Sequence, residues 1–97
     1  MFTHKQIWAA IDAVAGARGL SVSALAKKAG LDASALNPSK RVGPDGHMRW
    51  PSTETLSRVL MAAGMDLKAL ADIMDMMSDQ RSLALRRLSI TPDHQIR

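Results

Sequence analysis

The sequence is short of the residues that support disulfides, metal sites and membrane insertion. It has no cysteine and no tyrosine, one phenylalanine and two tryptophans among 97 residues. Without cysteine the chain cannot form a disulfide framework or a thiolate metal site, and this composition fits a reducing compartment. It also lacks a run of ~18 apolar residues and a secretory segment, so we expect a cytoplasmic protein with no membrane span and no export.

Residues that could support catalysis are few and scattered. The three histidines, His4, His47 and His94, stand far apart in the sequence, with no carboxylate pair at ligand spacing. We therefore predict no metal site and no cofactor. A catalytic dyad would need a rigid pocket with an oxyanion site, which a bundle of short helices with small side chains hardly provides. We expect a protein that is not an enzyme, and we predict no small-molecule ligand.

The net charge of +4 is distributed unevenly along the chain. Residues 1–64 contain eight Lys and Arg against four Asp and Glu, a net charge of +4, whereas residues 65–97 contain five of each and are neutral. This excess in one part of the chain is expected if that part meets a polyanion. An ordinary solvated basic surface would also explain a charge of this size.

The hydrophobic pattern predicts an all-α fold with one core. A capping box at Thr3 and Gln6 begins a first helix of about 14 residues, in which Trp8 belongs to the core more readily than to a base-stacking surface. Ser21 caps a second helix that Gly30 ends. A very short third helix follows the cap at Asp32, covers residues 33–37, and is stopped by proline.

The second half of the chain predicts further helices after a long connection. The connection, residues 41–50, is centred on a Gly-Pro-Asp-Gly turn and fits a long loop and a small hairpin equally well. A fourth helix runs from the cap at Ser52 to Gly64, and a fifth begins after Asp66 with an unusually wide apolar face. We place a break near residues 78–79, a separate helix over residues 80–88, and a frayed end over residues 91–97.

These elements define a compact bundle of five short helices with a helix-turn-helix at helices 2 and 3, plus a carboxy-terminal helical extension. We assign residues 1–77 to the helix-turn-helix domain and residues 78–97 to the extension and tail, a possible dimerisation element.

Leu25, Ala26, Gly30, Leu31 and Leu36 stand at the apolar, small and glycine positions of a helix-turn-helix motif. On these residues the sequence resembles the lambda-repressor-like, Xre-type helix-turn-helix domain, over roughly residues 3–77. The stretches NPSKR and RWPST are similar to the amino-terminal domain of phage-type repressors that carry a self-cleaving serine peptidase domain. That peptidase domain would not fit in this chain. The resemblance implies that the third helix reads DNA.

A helix 3 that enters the major groove would bring Ala33 and Ser34 to base edges. Asn37 can pair with adenine, or it can serve as a plain helix cap, and the sequence leaves both open. Phosphate contacts are expected from the beginning of helix 2, from the basic turn after helix 3, and from the end of the loop. The residues concerned are Ser21, Ser23, Ser39, Lys40, Arg41, Arg49 and Trp50. Trp50 could instead cover the core.

We therefore predict a sequence-specific DNA-binding transcriptional regulator, interpreted as a repressor, that binds double-stranded DNA in the cytoplasm and is associated with the nucleoid when bound. A homodimer on a two-fold operator is expected, because one short recognition helix supplies few base contacts. The predicted dimer interface consists of Leu67, Leu70, Met74 and Met77. The alternative is a protein-interaction module, antitoxin-like or a co-regulator, that uses the Met-rich face of helix 5.

Overall fold

The computed structural model describes residues 2–89, with the side chains of residues 2–78. It contains α1 (His4–Ala17), α2 (Val22–Lys28), α3 (Thr53–Ala63) and α4 (Leu67–Ser89), and a short 3₁₀ helix at Pro38–Lys40. In these described residues, the nearest approach to a sheet is one isolated antiparallel bridge between Val42 and Met48. The predicted all-α class is confirmed, with four α-helices where five were expected.

Capping residues fix the beginnings of three helices at the positions that the sequence predicts. The Gln6 N–H donates to Thr3 Oγ1 over 3.2 Å, and the Thr3 N–H donates to Gln6 Oε1 over 2.8 Å, which completes the capping box. Ser21 and Ser52 accept in the same way at α2 and α3. Gly64 ends α3 with a φ of 69°, a left-handed conformation that glycine adopts without a steric penalty.

The expected third helix is absent. Residues 33–36 form consecutive turns, in which the Ala35 N–H donates to the Asp32 carbonyl and the Asn37 N–H to the Ser34 carbonyl. Pro38 leaves too few residues to repay the nucleation of an α-helix. The prediction of a recognition helix at residues 33–37 is wrong, and the helix-turn-helix arrangement is not confirmed. Leu36 nevertheless lies in the core and is fully buried, so it anchors the turns.

The last helix is longer than predicted. α4 runs without a break through residues 78 and 79, so the separate helix over residues 80–88 is wrong. Neither glycine nor proline occurs between Met65 and Thr91 to stop it. At 23 residues α4 is about 34 Å long, and it crosses the boundary that we placed between residues 77 and 78. The expected frayed end, residues 91–97, lies outside the described residues.

The core is built around α1, which contacts each of the other three α-helices. Ile11 and Val14 of α1 are fully buried, as are Leu25 of α2 and Val59 of α3. Burial of such side chains is the main favourable term in folding. The segment between residues 38 and 50 packs against α1 near its amino-terminal end, through His4 and Trp8.

Candidate functional site

The segment at residues 38–50, here called the anchored loop, forms a small hairpin. The Arg49 N–H donates to the Arg41 carbonyl over 2.9 Å, and the Gly43 N–H donates to the His47 carbonyl over 2.7 Å. Its tip is a turn closed by the Gly46 N–H and the Gly43 carbonyl, with Gly46 at a φ of 85°. Of the two forms that the sequence allowed, the structure selects the hairpin.

Two α1 side chains hold the base of the anchored loop. The indole Nε1–H of Trp8 donates to the Arg49 carbonyl over 2.9 Å. His4 Nε2 lies 2.8 Å from the Arg41 carbonyl and 3.0 Å from the Arg49 carbonyl. Both partners are acceptors, so Nε2 carries the proton in this arrangement. The indole of Trp8 is otherwise buried, which confirms its core position.

Arg41 holds the anchored loop to α1 and to the turns before it. Its guanidinium makes two hydrogen bonds to the Asp12 carboxylate, at 2.6 and 3.0 Å, and donates to the Leu36 carbonyl over 2.9 Å. Its central carbon lies 4.8 Å from the centroid of the Trp8 ring, a cation–π contact. The Arg41 side chain is only 14% exposed. Its guanidinium is therefore engaged within the chain, where it positions the loop, and the predicted phosphate contact of Arg41 stays a prediction.

The other basic residues of the anchored loop face solvent. Lys40 ends the 3₁₀ helix and is exposed, as is Ser39. Arg49 is exposed too, and its guanidinium folds over the turn, where a Cβ on Gly43 would come within 3.2 Å of Arg49 Nε. Glycine at this position therefore permits the arginine to pack across the hairpin. Lys40 and Arg49 are the two cations that the loop presents.

An aromatic pair lies beside the base of the loop. Trp50 is 51% exposed, with its ring centroid 6.2 Å from that of Phe2 and 5.9 Å from that of His4. It is thus not a lid over the buried core, and its face is partly open. Phe2, which the sequence did not single out, shares this surface.

Exposed hydrogen bonds between Asp45 and His47 stiffen the tip of the hairpin. Asp45 accepts from the His47 N–H over 3.1 Å and lies 2.7 Å from His47 Nδ1. The hydrogen bond from the His47 backbone lowers the pKa of Asp45 below its usual 3.8, and the His47 ring and the nearby Arg49 act in the same direction. Asp45 therefore stays ionised at neutral pH.

The remaining predicted DNA contacts fall into two groups. Ser21 is exposed, but its hydroxyl accepts from the Ala24 N–H as the α2 cap. Ser23, Ala33, Ser34 and Asn37 are partly buried. The Asn37 side chain makes no capping hydrogen bond to the 3₁₀ helix that follows it, so the cap interpretation is not supported.

Carboxylates neutralise few of the cations in the basic part of the chain. Among the eight Lys and Arg of residues 1–64, Arg41 pairs with Asp12 and Arg58 pairs with Glu54. Within the described residues, the other six have no carboxylate within 4.0 Å: Lys5, Arg18, Lys27, Lys28, Lys40 and Arg49. Arg18 instead donates to the Ala63 carbonyl over 2.7 Å.

The predicted dimer interface on α4 is only partly at the surface. Leu67 is 68% exposed, but Leu70 is 4% exposed and belongs to the core. Met74 and Met77 are half-buried against that core. Because Leu70 is buried within one copy, a charged side chain there would disrupt the core rather than only separate two copies.

An open apolar groove of about 690 Å³ lies between α1 and the first half of α4. Its floor includes Ile7, Leu56 and Leu70, which belong to the core or pack against it. Phe2, Lys5 and Ala9 line the α1 side, and Leu67, Ala71, Met74, Asp75, Met77 and Ser78 line the α4 side.

Sequence reasoning missed the α1 residues that hold the anchored loop. His4, Trp8 and Asp12 follow one another at intervals of four, which places all three on one face of α1. That spacing was a usable signal for a polar stripe beside a tryptophan. It did not identify the partners, which lie between 29 and 45 positions away in the sequence.

No protein-family model matches the chain, and no curated protein or solved structure matches it. Within the described residues, no single helix has the length and hydropathy of a membrane span, although α1 and α2, bent by 82°, reach those limits as a pair.

Proposed function

We propose that this protein is a sequence-specific DNA-binding transcriptional regulator, acting as a repressor on a two-fold operator. The observation that carries the proposal is the anchored loop, which α1 fixes through three side chains while Lys40 and Arg49 remain exposed. A fixed pair of cations beside partly exposed polar turns suits contact with a polyanion. The loop that holds these cations is ordered before binding, so binding does not carry the entropic cost of ordering it.

The turns at residues 33–37 are the proposed reading element. The buried side chain of Leu36 anchors them, and the Arg41 guanidinium donates a hydrogen bond to the Leu36 carbonyl, so their position relative to Lys40 is fixed. Ala33 and Ser34 would approach base edges, and the Asn37 amide would pair with adenine in the major groove. Lys40 and Arg49 would hold flanking phosphates, and Ser21, Ser23 and Ser39 would add hydroxyl or backbone donors.

The partly exposed ring of Trp50, with Phe2 beside it, is proposed to pack against the sugar-phosphate backbone next to Arg49. The protein would bind DNA without catalysis and would act in the cytoplasm, where its operator lies. Repression would follow from an operator that overlaps a promoter. Two copies are needed because one set of turns supplies few base contacts.

Selection of bound duplexes from a random DNA library, followed by fluorescence anisotropy on the recovered sequence, tests the proposal. We expect an enriched two-fold motif. Lys40→Ala and Arg49→Ala should each weaken binding on every sequence and reduce the slope of log K against log salt by about 0.9. Asn37→Ala should instead relax discrimination at one base position, by roughly 1 to 3 kcal/mol.

Lys28→Ala is the matched control, because it removes the same charge from the exposed last turn of α2. Its effect on the salt slope should be small, since Lys28 lies outside the anchored loop. Recovery of no enriched motif, or equal effects of Lys28→Ala and Lys40→Ala, would refute specific DNA binding by this surface.

The second candidate is a protein-interaction module of the antitoxin or co-regulator kind. The groove beside α4 favours it, because Leu67 and other apolar side chains are open there. In that case Lys40→Ala and Arg49→Ala would leave the binding of the protein partner unchanged, while substitutions in the groove would abolish that binding.

A further inference from the structure

The carboxy-terminal half of α4 continues as helix past the residues of α4 whose side chains are described. Among the described side chains of α4, Met77 is the last that packs against the core, and Ser78 is the last that lines the apolar groove. The helix continues for eleven residues more, to Ser89. At 1.5 Å per residue this extension is about 16 Å long, comparable to the α4 side of the groove.

The two halves of α4 differ in net charge. Residues 67–78 contain two aspartates, Asp72 and Asp75, and one lysine, a net charge of −1. Residues 79–89 contain three arginines and one aspartate, a net charge of +2. In an antiparallel pair of α4 helices the acidic half of each lies along the basic half of the other. A parallel pair would place like charges together, so charge complementarity favours the antiparallel arrangement.

The apolar pattern of α4 continues into the extension, where Arg81 interrupts it. Ala84 follows Met77 by seven residues, and Leu88 follows Met74 by fourteen. By this heptad spacing they belong to the same side of the helix as the two methionines. The extension therefore offers apolar residues at the spacing that a groove lined by Leu67, Ala71 and Met74 can accept.

We propose that the groove between α1 and α4 binds the extension, residues 79–89, of a second copy of this chain, with the two α4 helices antiparallel. The two-fold axis then passes near residue 79, and each copy fills the groove of the other, as a closed isologous dimer requires. Asp72 and Asp75 of one copy lie beside the arginines of the extension in the other. This inference shares with the proposed function only the expectation of a dimer, and the test of that dimer is made without DNA.

Charge exchange tests the pairing. Light scattering of the full chain without DNA should give twice the monomer mass of 10.5 kDa. The double substitutions Arg86→Glu with Arg87→Glu, and Asp72→Lys with Asp75→Lys, should each weaken the dimer by about tenfold or more, because several exposed pairs become repulsive. Combining all four should restore it. Lys27→Glu with Lys28→Glu, on α2, is the matched control and should leave the mass unchanged.

Cross-linking tests the direction of the helices. The chain has no cysteine, so Ala71→Cys and Ser89→Cys are unique thiols. The two single-cysteine variants are mixed in equal amounts and treated with a short bifunctional thiol reagent. The main product should join residue 71 of one copy to residue 89 of the other. A parallel pair would give 71-to-71 and 89-to-89 products, because residues 71 and 89 lie about 27 Å apart along one helix.

A monomeric wild-type chain, a combined variant that remains monomeric with wild-type helicity, or mainly same-site cross-links would each overturn the proposal. If a charge variant fails to fold, the cross-linking products test the proposed arrangement instead. A dimer without an enriched DNA motif would refute the proposed function and leave this inference standing. A two-fold motif bound by two copies that are monomeric without DNA would overturn this inference and leave the proposed function standing.

Discussion

Replacing the guanidinium of Arg41 should destabilise the protein far more than its surface-loop position suggests. Arg41→Met keeps the apolar stem and removes the two hydrogen bonds to Asp12, the cation–π contact with Trp8, and the donors to the Leu36 carbonyl. The surrounding contacts join α1, the turns at residues 33–37 and the anchored loop. We therefore expect the substitution to weaken all three junctions at once.

The magnitude follows from the environment of each contact. Asp12 is 47% exposed, so its ion pair with Arg41 contributes at most about 1 kcal/mol. The contact with the Trp8 face adds about 1 kcal/mol. The Leu36 carbonyl, left without the guanidinium, costs roughly 1 to 2 kcal/mol. The loss should total about 3 kcal/mol, a large part of the ~5 to 15 kcal/mol that holds a typical domain folded.

Urea unfolding followed by far-ultraviolet circular dichroism measures this loss as a lower midpoint at unchanged slope. Lys40→Met is the matched control, because Lys40 is the exposed neighbour and should change the free energy of unfolding by less than about 0.5 kcal/mol. Asp12→Asn should cost about 1 kcal/mol, and much less when Arg41 is already methionine. An Arg41→Met protein as stable as the Lys40→Met protein would refute the structural role of Arg41.

Two further substitutions test the local chemistry. Leu36→Ala should lower the free energy of unfolding by roughly 3 to 5 kcal/mol, measured by the same urea titration, because the Leu36 side chain is fully buried and anchors the turns at residues 33–37 in the core. The pKa of Asp45, measured by carboxyl NMR titration, should lie below 3.8, and His47→Ala should raise it. Because the folded state lowers this pKa, the contribution of Asp45 to stability is present above the unfolded pKa and is lost as pH falls through the folded value. A pKa for Asp45 at or above 3.8 would contradict the hydrogen bonds at the hairpin tip.

Helix ends could be predicted from the sequence where a side chain or a glycine determines them locally. Thr3, Ser21 and Ser52 are caps, and Gly64 ends α3, as expected from their positions beside apolar stripes. Each of these signals depends on residues within four positions of one another. Such contacts form whatever the rest of the chain does, so a single sequence contains enough information to find them.

The predictions that were wrong or missing have two physical causes: local signals that compete with one another, and partners that lie far apart in the sequence. Residues 33–37 have helical composition, but Pro38 interrupts them before one full turn of α-helical hydrogen bonds can form. The break in α4 was inferred from polar residues alone, which do not stop a helix that contains neither glycine nor proline. The partners of Arg41 could not be predicted, because Asp12 lies 29 positions away and is brought near only by the packing of α1.

The use of Arg41 within the fold changes what the net charge implies about DNA. The charge of +4 in residues 1–64 still acts at long range, where it would raise the rate of encounter with a polyanion. Direct phosphate contacts, however, need exposed cations, and the anchored loop offers only Lys40 and Arg49. Two contacts give a salt slope of about 1.8 for one copy and about 3.6 for a pair. A single copy would thus hold DNA weakly, and specific binding by this loop requires the dimer.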